Sequence, residues 1–101
     1  MDIEALIELT QKIVHQQSLS GEEGAVSKLV MDEMNALSFD NVWVDRYGSV
    51  VGMMRGAHPG KTLLFDAHTD TVGIAPGSLW SRAPFGAEVT DTHMYGRGVM
   101  D

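Results

Sequence analysis

The chain has 101 residues, of which 44% are apolar and 21% charged, proportions that suit one soluble globular domain with a modest core. Seven basic residues against fourteen acidic ones give a net charge of −7, which argues against nucleic acid or an anionic membrane surface as a partner. There is no cysteine, so disulfides and thiolate ligands are excluded, and any metal site must use histidine and carboxylates.

The N-terminus has neither the basic nor the apolar region of a signal peptide, because residues 1–4 read Met-Asp-Ile-Glu. No apolar run approaches the roughly 20 residues that a membrane-spanning helix needs. We therefore expect a cytoplasmic protein that does not interact with a membrane.

Two amphipathic helices are predicted first. Residues 2–17 have apolar side chains at spacings of three and four, and Asp2 can cap this helix. Ser20 and Glu23 fit a capping box that opens a second helix, which runs to about Leu37. Because each helix has one apolar stripe, both should lie on a flat apolar surface.

A β-hairpin and a buried strand are predicted next. Residues 41–47 alternate between apolar and polar side chains, and residues 49–55 form the second strand of the hairpin. Residues 62–67 contain a nearly continuous apolar run, which is typical of a central strand covered on both faces.

The segment that follows the predicted central strand is long and irregular, from residue 68 to about residue 87. Such loops in compact domains are usually functional or disordered, and Trp80 and Phe85 favour a loop anchored by packing. Residues 88–90 and 94–95 predict a small hairpin. Its turn should avoid a type that needs positive φ, since Thr92 tolerates positive φ poorly.

His68 and Asp70 form the strongest chemical signal. Residues two apart in extended backbone point to the same side, so both side chains should share the carboxyl end of the predicted strand, where open α/β sheets bind ligands. A neutral imidazole can bind a metal while a nearby carboxylate accepts the other ring N–H. For an isolated H-x-D pattern, ordinary loop capping by the same two side chains is the stronger interpretation.

Together with further sequence blocks, the H-x-D pattern favours a metal site over ordinary loop capping. The blocks are His68-Thr69-Asp70-Thr71-Val72, Trp80 with Pro84-Phe85, Tyr95-Gly96-Arg97-Gly98, and finally Asp101. In this order and spacing they resemble the start of the M20 family of metallohydrolases, which contains deacetylases, desuccinylases and di-zinc peptidases. Residues 63–101 carry most of the resemblance, and the helix–helix–hairpin–strand order before them agrees with it.

The resemblance implies an α/β fold in which residues 1–101 are the N-terminal portion of an M20-type catalytic domain, with an incomplete sheet and no second domain. It implies that His68 and Asp101 are metal ligands, Asp101 bridging two cations, and that Asp70 is a catalytic residue that supports His68. The implied cofactor is Zn²⁺, two per complete site, with Co²⁺ or Mn²⁺ as alternatives. The implied reaction is hydrolysis of an N-acyl amino acid or peptide-like amide.

The family's general base and its further ligands lie downstream of the position that Asp101 occupies. The alternative hypothesis is therefore a catalytically inactive truncated fragment of such an enzyme. Whether the longer parent enzyme forms a homodimer is left open. A third hypothesis is a mononuclear iron oxygenase in which His93 completes a facial triad. Two amphipathic helices before a covered strand favour the layered α/β protein instead.

Weaker signals come from single residues. Arg97 fits equally well a bidentate bond to a loop carboxylate and a solvated side chain. His15, His58 and His93 are expected at the surface.

A central strand without its later neighbours predicts a chain that is marginally stable or self-associates. Because only two or three metal ligands are present, we also expect weak Zn²⁺ binding.

Overall fold

The computed structural model describes residues 2–101, which form two helices and two small antiparallel sheets. The elements in chain order are α1 (Ile3–Val14), α2 (Gly24–Ala36), β1 (Asn41–Val44), β2 (Val50–Met53), β3 (Glu88–Val89) and β4 (Met94–Tyr95). Strand β1 pairs with β2, and β3 pairs with β4. None of the helices within these residues is long and apolar enough to cross a bilayer.

Helix α1 begins as predicted, because the Asp2 carboxylate accepts hydrogen bonds from the backbone N–H groups of Glu4 (3.0 Å) and Ala5 (3.3 Å). The capping box predicted for α2 is wrong. This helix begins at Gly24 after Glu23, and no side chain caps it. The Glu23 carboxylate accepts instead from the backbone N–H of Gly21 at 2.7 Å.

The hairpin of β1 and β2 is confirmed, with Val44 opposite Val50 in the register. Asp45 organises its turn, since its carboxylate accepts from the N–H groups of Tyr47 (2.8 Å) and Ser49 (2.9 Å). Gly48 supplies the positive φ of 88° that the turn requires.

Helix α2 packs on this hairpin through a close approach at Gly52 of β2. A Cβ atom there would lie 2.6 Å from Met34 Sδ and 2.7 Å from Phe39 Cδ1, so the absence of a side chain lets both residues rest on the sheet. The expectation that the helices lie on an apolar sheet is thus met by α2.

The predicted central strand at residues 62–67 is wrong for this structure. The segment belongs to no sheet in the described part of the chain, and Leu63, Leu64 and Phe65 are 78%, 88% and 89% exposed. A strand exists only where a neighbour accepts and donates its backbone hydrogen bonds, and neither two-stranded sheet extends to this segment.

The buried apolar residues in the described part of the chain are Val14 of α1, Val26 of α2 and Ala87 just before β3. Hydrogen bonds join α1 to the segment that leads into β3. From α1, the Gln11 side chain donates to the Ala87 carbonyl at 3.0 Å, and the exposed His15 ring bonds the Phe85 carbonyl at 2.8 Å.

The second hairpin is confirmed at β3 and β4, with Val89 opposite Met94. Thr92 in its turn has no positive φ, as expected from its side chain.

Candidate metal centre

The segment that carries His68 and Asp70 is held against the connection between the two helices. The backbone N–H of Thr71 donates to the carbonyl of Ser18 at 2.6 Å. The Ser20 hydroxyl donates a short hydrogen bond to Oδ2 of Asp70. Two long-range bonds therefore fix a segment that belongs to no sheet, and they fix it next to the candidate ligands.

Asp70 sets the tautomer of His68. The Nδ1 atom of His68 lies 2.9 Å from the backbone oxygen of Asp70 and 3.3 Å from its Oδ1. Because a carbonyl oxygen only accepts, Nδ1 carries the proton, and the lone pair of the neutral ring is on Nε2. Asp70 thus contacts the His68 ring through its backbone oxygen and its carboxylate, and the backbone oxygen is the nearer acceptor.

Asp101 lies on the other side of the ring. Its Oδ1 is 3.8 Å from His68 Nε2, which is too long for a hydrogen bond. Metal–ligand bonds of about 2.0–2.2 Å place two tetrahedral ligand atoms roughly 3.4 Å apart. The gap therefore fits a small cation after a shift of a few tenths of an ångström. The two side chains are 58% and 68% exposed, so an ion can reach them.

The two glycines that flank Arg97 let the chain before Asp101 approach its neighbours closely. Gly98 has a φ of 78°, and a Cβ there would lie 2.8 Å from Thr71 Cγ2. A Cβ at Gly96 would lie 2.5 Å from Val14 Cγ1. The turn before Asp101 can therefore lie directly against the residue that follows Asp70.

The electrostatics of the site follow from these contacts. The hydrogen bond to the backbone of Asp70, and then the negative charge of Asp101, raise the pKa of His68 above its ordinary value. The hydrogen bond from Ser20 is the main cause that lowers the pKa of Asp70, and His68 adds to it. Asp70 is therefore held as a carboxylate, and His68 faces two acidic residues.

The pair lies where two clefts meet. Asp101 lines a cleft of about 560 Å³ between the irregular loop and the second hairpin. His68 and Asp70 line a cleft of about 950 Å³ beside α2. A cation between His68 and Asp101 would be open to a small molecule from either side.

No group of three or more His, Asp or Glu side chains within residues 2–101 is arranged to hold a metal ion. The facial triad of His68, Asp70 and His93 is therefore not assembled. His93 is exposed and stacks on Tyr95 at 5.9 Å, and its Nδ1 contacts the Thr92 hydroxyl at 2.7 Å.

Ser20 is the site residue that sequence reasoning missed. The capping-box pattern explained its hydroxyl locally, whereas the structure directs it to Asp70, fifty positions away. A bare Ser-Gly-Glu-Glu segment carries no signal of such a bond. The two residues of the predicted capping box bond other groups instead: Ser20 donates to Asp70, and Glu23 accepts from Gly21.

Comparison with known proteins agrees with the motifs. The chain is 40% identical over 100 residues to a succinyl-diaminopimelate desuccinylase of Roseobacter denitrificans, covering 94% of this chain and 26% of that protein. It is 34% identical to the same enzyme of Cereibacter sphaeroides and 35% identical to succinyl-diaminopimelate desuccinylase 2 of Ruegeria, each over 97 residues. The chain thus spans about a quarter of the length of these relatives. No protein-family model matches it, and no solved structure matches it significantly.

Proposed function

We propose that the chain carries part of the metal centre of an amide hydrolase that acts on an N-succinyl amide. The relatives that align with 94% of the chain are succinyl-diaminopimelate desuccinylases. The observation that supports this most directly is the geometry at His68. Its Nδ1–H is bonded to Asp70, and its Nε2 faces the Asp101 carboxylate across 3.8 Å.

The donor set suits zinc. His68 Nε2 and an Asp101 oxygen would hold the ion, because Zn²⁺ takes imidazole nitrogen and carboxylate oxygen, and there is no cysteine to compete. Co²⁺ and Mn²⁺ are the alternatives. The second oxygen of Asp101 is available for another cation, as two-metal sites require. When bound, such ions polarise an amide carbonyl and lower the pKa of a bound water.

The residues of this chain orient the ligands. Asp70 holds the His68 ring so that Nε2, the unprotonated nitrogen, faces Asp101. Ser20 keeps Asp70 in place and ionised. The two glycines beside Arg97 bring Asp101 to the opposite side of the gap.

Two ligands do not close a four-coordinate site. We therefore propose that the chain alone binds a cation weakly and does not catalyse hydrolysis, and that activity needs the remainder of a longer enzyme. This agrees with its span of about a quarter of its relatives.

A chimeric enzyme tests the function. Residues 1–101 would replace the aligned region of the Roseobacter denitrificans relative, and hydrolysis of N-succinyl-diaminopimelate would be measured with and without added Zn²⁺. We expect zinc-dependent activity that is abolished by His68→Ala and by Asp101→Asn. Asp70→Asn should lower kcat/KM by about 10- to 100-fold, the usual cost of losing a group that orients a ligand.

His93→Ala is the matched control, because it removes an exposed imidazole that is bonded to Thr92 and not to Asp70. It should leave kcat/KM unchanged. Activity that persists in a folded chimera without His68 would contradict the proposal.

A further inference from the structure

The cleft that Asp101 lines has a cationic wall. Its volume of about 560 Å³ is in the range of small-molecule sites. Trp80, Arg82, Tyr95 and Arg97 line it, and Asp101 is its one acidic lining residue among residues 2–101. A ligand in this cleft would therefore lie beside the proposed metal ligand and against two guanidinium groups.

The two arginines differ in their charge balance. Arg82 donates from Nε to the Glu88 carboxylate at 2.9 Å, and its guanidinium lies 3.7 Å above the Tyr95 ring. Its charge is already compensated.

Arg97 has no carboxylate within ion-pair distance in the part of the chain that the structure describes, which overturns the loop-carboxylate interpretation of this residue. Its Nε is buried without a partner, and one terminal nitrogen makes only a long 3.4 Å bond to the Gly73 carbonyl.

Two contacts hold Arg97 in place. Its backbone N–H donates to the Pro84 carbonyl at 2.7 Å, and its guanidinium lies 5.0 Å from the centre of the Trp80 ring. The side chain is half-buried, so it has lost part of its hydration without gaining an anionic partner. A planar guanidinium in this state is suited to bind a carboxylate through two parallel hydrogen bonds.

We propose that Arg97 binds a free carboxylate of the substrate in this cleft, and that it thereby selects acyl groups that end in a carboxylate. The inference rests on the proposed function for the identity of the acyl group, since a succinyl amide carries one free carboxylate on its acyl chain. The binding of a carboxylate to Arg97 itself is independent of any metal. Asp101 opposes an anion in the same cleft, so the affinity without a cation should be modest.

The test is a titration of the chain with succinate in the presence of EDTA, followed by the NMR signals of the Trp80 indole and Arg97 Nε groups. We expect saturable shifts with succinate and none with succinamide, its neutral analogue of the same length. Equal shifts with both compounds would overturn the proposal. This comparison needs no variant, so it does not depend on the folding of a mutant.

Variants assign the effect to one side chain. Arg97→Gln should weaken succinate binding at least about tenfold, the usual result of removing a charge-assisted hydrogen bond. Arg97→Lys keeps the charge and should bind more weakly than the parent but more tightly than Arg97→Gln.

Arg46→Gln is the matched control, because Arg46 also lies on an aromatic ring, Tyr47 at 4.7 Å, but outside the cleft. An equal loss in Arg46→Gln would show that only net charge matters and would overturn the assignment. If His68 and Asp101 fail to bind zinc while succinate still binds, the proposed function is overturned, but carboxylate binding by Arg97 is supported.

Discussion

Ser20 and Asp70 are fifty positions apart in the chain and are joined by a hydrogen bond from the serine hydroxyl to Oδ2 of the aspartate. The other carboxylate oxygen of Asp70 lies 3.3 Å from His68 Nδ1. A side chain in the connection between the helices therefore controls the group that orients the candidate ligand.

Ser20→Ala should raise the pKa of Asp70 toward its ordinary value, because the Ser20 hydrogen bond is the main cause that lowers it. The pKa is measured from the Asp70 carboxyl carbon signal in an NMR titration. Ser78→Ala is the control, since the Ser78 hydroxyl donates to the Ala75 carbonyl within its own turn. An Asp70 pKa that is equal in Ser20→Ala and the parent would refute the prediction.

The charge of Asp101 should be visible in the titration of His68. Asp101→Asn should lower the raised pKa of His68, whereas Asp91→Asn in the second hairpin should not. The ring carbon signals of His68 provide the measurement. A His68 pKa that is insensitive to Asp101→Asn would place the two groups farther apart than 3.8 Å in solution.

The raised pKa of His68 determines how folding stability and zinc affinity each change with pH. The pKa of His68 is raised in the folded chain, so its stabilising contribution is fully present below the unfolded value of 6.5 and is lost as pH rises through the folded pKa. Metal binding has the opposite trend, because the cation competes with the proton on Nε2. Zinc affinity should therefore fall as pH decreases through the raised pKa, which calorimetric titrations at several pH values would detect. An affinity independent of pH would exclude His68 as a ligand.

The exposed apolar run at Leu63, Leu64 and Phe65 predicts self-association of the isolated chain. Leu64→Lys should shift the protein toward monomer in sedimentation velocity measurements over a range of concentrations. Leu79→Lys is the control, because Leu79 is fully exposed but stands in the irregular loop. A monodisperse monomer with a cooperative thermal transition in the unmodified chain would contradict the expectation.

Gly52→Ala should lower the free energy of unfolding by about 1–3 kcal/mol, because the new methyl group would overlap the Phe39 ring between α2 and the hairpin. Gly60→Ala is the control, since nothing lies within 4 Å of a Cβ at that position. Urea denaturation compares the two. Equal stability of both variants would mean that α2 does not pack on β2 as closely as described.

The sequence predicted those parts of the fold that local chemistry decides. The cap at Asp2 and the two hairpins each depend on residues that are close in the chain. The supporting role of Asp70 was implied by the family resemblance, since spacing alone does not decide whether its carboxylate reaches the His68 ring; in the structure the two groups lie 3.3 Å apart.

What the sequence could not predict depends on distant partners. Ser20 satisfied a local capping pattern, and only the approach of Asp70 diverts its hydroxyl. Leu63 to Phe65 have the composition of a buried strand, but burial needs a neighbouring strand, which composition does not supply. The environment of Arg97 depends on Trp80 and Gly73, which a long irregular loop brings to it.

The central claim is that His68 and Asp101 hold one divalent cation between them. The most direct measurement is a Zn²⁺ titration of the chain followed by the NMR signals of all four histidines. We predict weak binding that perturbs His68 first, is lost in both His68→Ala and Asp101→Asn, and persists in His93→Ala. Zinc binding that leaves the His68 signals unchanged, or that survives both substitutions, would contradict the claim.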